Sequence, residues 1–286
     1  MSLEDFKKWV DIDMQYMDKK RIALLGGEPT IHAEFGRFLE YALTKTVNVT
    51  VFTNLMATKK NAKDLIRIAT ANPELSVVWN NSEFDTVPET HRVNSSRVAT
   101  ELNKVCYMFH SVTYTPGLDL SYLLPIAEKT GIRKIRFALN VSEMHRCIEL
   151  ENLEILYNQL SLLIDNGFTV AQDSCGFIPN SIPALFRLRF NHLINYVARC
   201  DGNASDVLPD GRIIPCMPYL DDPKELYVTD IQSGKHLQEM FVKHYGPQAS
   251  RKITQGMCPA TYERPANNKV IPILQIQEEY RTRLIV

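Results

Sequence analysis

At 286 residues the chain is long enough to bury a sizeable core, as one large domain or one domain with an appended module. Hydrophobic residues make up 45% and charged residues 23%, ordinary values for a globular protein, and a formal net charge of −1 gives no electrostatic reason to expect nucleic acid or anionic membrane as a partner. Met1 is followed by a polar, amphipathic run and no apolar run reaches the length of a membrane span, so the expected setting is cytoplasmic.

Strand and helix patterns alternate over the first two-thirds of the chain. Residues 3–18 read as a helix with Phe6, Trp9, Val10 and Ile12 on one face. Residues 21–25 read as a buried strand ending in Gly26-Gly27, and Pro29 sits near the start of a helix through 35–43. A strand at 47–53, a helix at 60–71 and a short strand at 75–79 follow, then a helix near 95–104 and a strand at 107–113. Next come a helix at 118–130 closed by Gly131, a strand at 134–139, a helix at 152–166 stopped by Gly167 and a strand at 168–173. Units of this kind imply parallel strands joined by right-handed crossovers. The expected class is α/β: a partial (β/α)6 TIM-type barrel, six strands instead of eight. A doubly wound sheet is the alternative.

After residue 178 the rhythm changes, which divides the chain into an expected barrel at 1–178 and a smaller subdomain at 179–286. A helix at 183–199 leads to Cys200, and Pro209-Asp210-Gly211 between short apolar runs predicts a β-hairpin over 205–215. A helix at 234–244 and a loop-rich tail holding Cys258 complete the chain. There is no internal repeat.

The most informative segment is Leu24-Leu25-Gly26-Gly27-Glu28-Pro29-Thr30. Two glycines at the end of a strand let the backbone approach a ligand and adopt dihedrals closed to other residues. The turn offers carbonyls and a carboxylate and lacks the Lys and Ser/Thr of a P-loop, so it suits an ammonium group and not a phosphate. Read alone, the same residues also make a tight strand-to-helix turn with Glu28 at the helix start.

Six cysteines are present: Cys106, Cys147, Cys175, Cys200, Cys216 and Cys258. In a leaderless chain of this size, metal ligation or burial is expected over disulfides. Cys200 and Cys216 frame a pattern in which ten residues precede Gly211 and four follow it. The turn at Gly211 draws the two thiols together. Cys106 and Cys147 read as buried thiols. Among other groups, His32 follows the glycine turn, Trp79, Tyr107 and Tyr114 fall on strands, where core packing is the default, and Arg133 and Arg136 are candidates for an anionic substrate.

Gly26-Gly27-Glu28-Pro29 at the end of the first visible strand resembles the radical S-adenosylmethionine superfamily, where this quartet contacts the amino group of the cofactor's methionine. Thr53-Asn54 resembles that family's Thr-Asn-Gly turn, with Leu55 in place of the glycine. The resemblance implies that Asn80, Asn81 and Ser82 reach the ribose or carboxylate of S-adenosylmethionine, with Ser111 and Asn140 on later strands as further candidates. The Cys200–Gly211–Cys216 hairpin resembles the SPASM and twitch subdomains, which implies one auxiliary [4Fe–4S] cluster held by Cys175, Cys200, Cys216 and Cys258. A zinc site with the same four thiolates remains open.

The same family requires a Cys-x3-Cys-x2-Cys triad ahead of the glycine turn, on the first barrel strand. Here the first cysteine is Cys106. The expectation carried forward is a chain lacking that strand and its cluster loop, with residues 1–3 left over from cloning; a second [4Fe–4S] cluster belongs only to the restored protein. The alternative is a natural loss of the triad in a non-catalytic binding or partner protein. The family implies a peptide or small-molecule substrate and an electron donor such as flavodoxin or ferredoxin. As written, the chain is expected not to perform radical chemistry.

Overall fold

The computed structural model describes residues 1–16, 21–81, 87–140, 144–147, 149–172, 189–190, 194–195, 206–208, 210–214 and 226–245. The order begins α1 (Leu3–Tyr16), β1 (Ile22–Leu24), α2 (Phe35–Lys45), β2 (Val49–Thr53), α3 (Lys59–Ala71), β3 (Ser76–Asn80), α4 (Glu89–Leu102) and β4 (Tyr107–Tyr114). It continues with α5 (Leu123–Thr130), β5 (Lys134–Leu139), α6 (Met144–Cys147), α7 (Leu150–Asp165), β6 (Thr169–Gln172) and β7 (Ile194–Asn195). The short pair β8 (Asp206–Val207) and β9 (Ile213–Ile214) and the helix α8 (Gly234–Tyr245) complete it.

Sequence patterning explains the elements. In α2, Phe35, Leu39 and Ala42 recur at helical spacing and are buried, and in α7 Leu153, Leu156, Leu160 and Leu163 do the same. Thr58 caps α3, its hydroxyl accepting from the Asn61 amide at 3.2 Å. The β2 residues alternate between buried and half-buried, the period of a strand with one face on a core.

Seven strands form one sheet in the order β1-β2-β3-β4-β5-β6-β7. Among the described residues β1 to β4 pair in parallel, as do β5 to β7, for example Val51 beside Val77 and Val78 beside Phe109. A strand order that never reverses, joined by right-handed crossovers, carries the connecting helices onto one face. A doubly wound sheet needs a reversal in strand order. The fold is therefore that of a partial TIM-type barrel, as expected.

Two elements differ from expectation: the single-turn helix α6 was not expected, and a strand stands within a predicted helix. The predicted helix over 183–199 contains strand β7, where Ile194 pairs beside Val170 and Asn195 beside Ala171. Arg189 and Phe190 are helical, and apart from β7 the rest of that stretch lies outside the described residues. A β-branched residue beside an open strand edge at β6 gains a parallel partner, and that long-range pairing overrides the local helical pattern. The predicted hairpin is present: β8 and β9 pair antiparallel, with Gly211 at φ +88°.

Two compact units are distinguished, each described here by itself. The first holds the described residues within Met1–Ser111, Pro125–Arg133 and Gly202–Arg251. In it, Trp9 and Ile12 of α1 share a buried cluster with Ile213, Leu226, Val228, Ile231, Leu237 and Phe241. The hairpin and α8 are thereby fastened to α1, whose Phe6 also stacks on Phe38 of α2 at 4.7 Å. The second holds those within Val112–Leu124 and Lys134–Asp201. There Arg189 makes a two-pronged ion pair with Glu154 of α7, at 2.6 and 2.9 Å, and lies over the Tyr157 ring. Among the described residues, no helix is long and apolar enough to cross a membrane.

Candidate cofactor site at the glycine turn

The site is built at the carboxyl ends of β1, β2 and β3 and at Ser111 of β4, within the first unit. Gly26 and Gly27 leave β1 with φ values of +93° and +54°, in the left-handed region that favours glycine. A Cβ built on either would meet no atom within 4 Å, so both glycines are required by backbone conformation and their main chain is open to approach. Residues 29–31 then form a single 3-10 turn before α2 begins.

Glu28 joins this turn to the end of β2. Its Oε1 accepts from the Thr30 amide at 2.9 Å, from the Thr30 hydroxyl, and from the Thr53 hydroxyl at 2.6 Å. Its Oε2 accepts from the Asn54 amide at 2.6 Å. A carboxylate has about four lone-pair sites, so Oε1 is fully used and Oε2 keeps one. The carboxylate is thus chiefly a brace between two strand ends, and acceptors for an ammonium group come mainly from the main chain of Gly26 and Gly27.

The β2 turn is equally constrained. The Thr53 hydroxyl accepts from the Leu55 amide at 2.8 Å, and the Asn54 side-chain oxygen accepts from the Met56 amide at 2.8 Å. The Trp79 indole donates to the Asn54 carbonyl at 3.3 Å. Leu55 adopts φ +59°, so the backbone that a glycine would favour is kept by a leucine with 2% exposure. From α3, the Asn61 amide donates to the carbonyls of Thr30 at 2.7 Å and His32 at 2.8 Å, fixing the far side of the first turn.

Asn80 and Ser111 are neighbours in register on β3 and β4. On β4, Met108, His110, Val112 and Tyr114 are buried, whereas Phe109 and Ser111 are half-buried, so Ser111 belongs to the less covered face of the strand. Asn80 beside it is exposed. Asn81 is different: at 3% exposure its side-chain amide lies 2.9 Å from Nδ1 of His110, and among the described residues its Oδ1 has no hydrogen-bond partner. Nε2 of His110 lies 3.1 Å from the Ile132 carbonyl. Burial pushes His110 down to about 4, so the ring is neutral at ordinary pH.

Asn140, in the second unit, follows β5, and its amide donates to the Tyr114 carbonyl at 2.9 Å. Trp79 and Tyr114 are fully buried core aromatics. His32, just ahead of α2, packs its ring at a tilt on Phe38, and its Nδ1 accepts from the Glu34 amide. Ser82 and the four proposed cluster ligands Cys175, Cys200, Cys216 and Cys258 lie outside the described residues. Among the described residues, no group of three or more His, Cys, Asp or Glu is placed to hold a metal ion. Neither Cys106 nor Cys147 is in a disulfide, and burial pushes the Cys106 thiol up to about 12, leaving it protonated.

The structure of Streptococcus suis SuiB bound to precursor peptide SuiA is similar to this chain with a TM-score of 0.57 and 16% identity, over 85% of this chain and 60% of that one. SuiB bound to S-adenosylmethionine gives 0.54 and 16%, over 80% and 57%. Native anSMEcpe with bound AdoMet and Kp18Cys peptide gives 0.56 and 16%, over 88% and 76%. The chain shares the fold of these structures, a partial TIM-type barrel. It spans about 60% of the length of SuiB. No protein-family model matches it, and no curated protein does.

Around the glycine turn, three contributors escaped sequence reasoning: Asn61, His110 and the hydroxyl of Thr30. Asn61 falls three residues after a helix-capping Thr, where a buried polar role has no distinct signal. His110 sits in an alternating apolar strand, and its buried register was the only hint of something other than surface charge.

Proposed function

We propose that this chain is the S-adenosylmethionine-binding portion of a radical enzyme that modifies a peptide, with one auxiliary [4Fe–4S] cluster held by Cys175, Cys200, Cys216 and Cys258. The observation that carries the reading is the Gly26–Gly27 turn, left-handed at both glycines, open to approach and braced by Glu28. Support for a peptide substrate comes from the fold neighbours, which are recorded with S-adenosylmethionine and with peptides.

The residues present fit the cofactor. Main-chain carbonyls of the glycine turn would accept from the methionine ammonium, while Asn80, Asn81 and Ser111 would supply polar groups for the carboxylate and ribose. Pro29 directs the chain from the turn into the 3-10 segment. Bound S-adenosylmethionine, reduced at a [4Fe–4S] cluster, supplies a carbon radical that takes hydrogen from a substrate. The 286 residues hold no Cys-x3-Cys-x2-Cys. The proposal therefore assigns binding and positioning to them, with the triad in a preceding segment of the full protein. Four thiolates with a hairpin glycine between two of them suit an iron–sulfur cluster, and the same ligands suit zinc.

Titration calorimetry with S-adenosylmethionine tests the binding site, and iron, sulfide and zinc analysis of anaerobically prepared protein tests the auxiliary site. Saturable binding and stoichiometric iron with sulfide are expected. Zinc without iron sinks the cluster assignment, and lack of S-adenosylmethionine binding sinks the function. The missing triad favours one second reading, a binding or partner protein that keeps the fold without the chemistry; a reading frame with no upstream triad selects it.

A further inference from the structure

The buried pair formed by His110 and Asn81 has a chemical polarity that can be worked out. The Ile132 carbonyl only accepts hydrogen bonds, so at 3.1 Å from it Nε2 of His110 carries the proton. Nδ1 of the neutral ring is then an acceptor, and the Asn81 group 2.9 Å away must be its NH2. The amide of Asn81 is thereby locked in one of its two orientations. Its Oδ1 is left as a buried acceptor with no donor among the described residues, at the end of β3 next to Asn80. An orphaned buried acceptor is a cost to the fold unless something supplies a donor.

Resting on the proposed S-adenosylmethionine site, we infer that His110 is a positioning residue, holding Asn81 so that its Oδ1 takes a hydroxyl or ammonium donor of the bound ligand. The specificity this gives is one of polarity. A locked acceptor rewards a ligand donor at that point and penalises a carboxylate or carbonyl there, and reversal of the amide would invert the preference. His110 touches no ligand in this scheme; it acts through Asn81.

Two substitutions of the same histidine separate this role from a structural one. In His110→Asn the new side-chain oxygen can stand where Nδ1 stood, keeping the lock and giving up the bond to Ile132. In His110→Gln the longer amide keeps the bond to Ile132 and gives up the lock. Calorimetric titration of S-adenosylmethionine into the whole chain, with melting temperatures measured alongside, is the experiment. His110→Asn is expected to bind as wild type does, whatever its melting temperature, while His110→Gln and Asn81→Leu lose roughly tenfold in affinity. Titration of 5′-methylthioadenosine, which keeps the ribose hydroxyls and lacks the ammonium, identifies the donor: the penalty persists for a hydroxyl and vanishes for the ammonium. Affinity losses that follow melting temperature instead of the lock overturn the inference, as does wild-type affinity in Asn81→Leu. Absence of S-adenosylmethionine binding to the wild type overturns the underlying site and this inference with it.

Discussion

Replacing Glu28 with Gln changes one atom and keeps the shape of the side chain, so its effect isolates the brace between β1 and β2. Four donors converge on the carboxylate: the Thr30 amide and hydroxyl and the Thr53 hydroxyl on Oε1, and the Asn54 amide on Oε2. Whichever way the new amide turns, its NH2 faces a donor. The milder orientation sets it against the Asn54 amide, which lies 2.6 Å from Oε2. One charge-assisted bond is lost, an amide is left opposed, and the bonds to Oε1 lose their charge assistance. Together these cost about 3 kcal/mol, or roughly 5–10 °C in melting temperature for a chain of this class. Thermal unfolding followed by circular dichroism reads the shift, with Glu34→Gln as the surface control. Glu34 pairs only with exposed Arg37 at 2.5 Å, and loss of such a pair costs about 0–1 kcal/mol. Equal melting temperatures for Glu28→Gln and the control would refute the brace and return Glu28 to the role of a free ligand group.

Stability should fall as pH drops from 6.5 towards 4. The folded pKa of His110 is depressed to about 4 by burial, so over this window the unfolded chain binds a proton that the folded one refuses. The stabilisation is present above pH 6.5 and about 2–3 kcal/mol of it is gone by pH 4.5. Urea midpoints at pH 7 and 4.5 should differ less in His110→Asn than in wild type, and an identical drop in both would exclude His110 as the source. Trp9→Ala opens the cluster that fastens α1 to the hairpin and α8, at a cost of about 3–5 kcal/mol. Limited proteolysis should then cut residues 206–245 faster, and unchanged cleavage would show that α1 does not hold that module. Leu55→Gly relieves a left-handed φ of +59° worth about 1–2 kcal/mol and deletes a buried side chain worth about 2–5 kcal/mol. The net is a destabilised protein, and a higher urea midpoint would mean that backbone strain outweighs packing there.

Much of the architecture was legible because its signals are local. Helix stops at Gly131 and Gly167, β-branched runs in β2 and leucine spacing in α7 each act within a few residues. Choice between a barrel and a doubly wound sheet was not legible, because both are made of the same strand–helix units and differ only in strand order. Strand β7 was hidden for a related reason. Its two residues sit in a stretch with helical spacing, and only the pairing with Val170 and Ala171, more than twenty residues earlier, makes them a strand.

The glycine turn was legible in its backbone, whereas the partners of its carboxylate were not. Two consecutive left-handed residues demand glycine, so Gly26-Gly27 announces the geometry directly. Nothing near Glu28 in sequence announces that Thr53 and Asn54, on another strand, would occupy its oxygens. That reassignment bears on selectivity. If the charged group is spent on the scaffold, recognition of an ammonium falls to neutral main-chain carbonyls, whose positions depend on two strand ends staying in register. Asn61 holds one side of the turn through two carbonyls, Glu28 the other through two hydroxyls and two amides, and Leu55 keeps the second strand end in its left-handed bend without a glycine. The polar atoms near the turn therefore fall into two sets. Those on Glu28, Thr30, Thr53 and Asn61 are consumed in holding shape, and those on Gly26, Gly27, Asn80, Asn81 and Ser111 are the ones the proposed function assigns to a ligand.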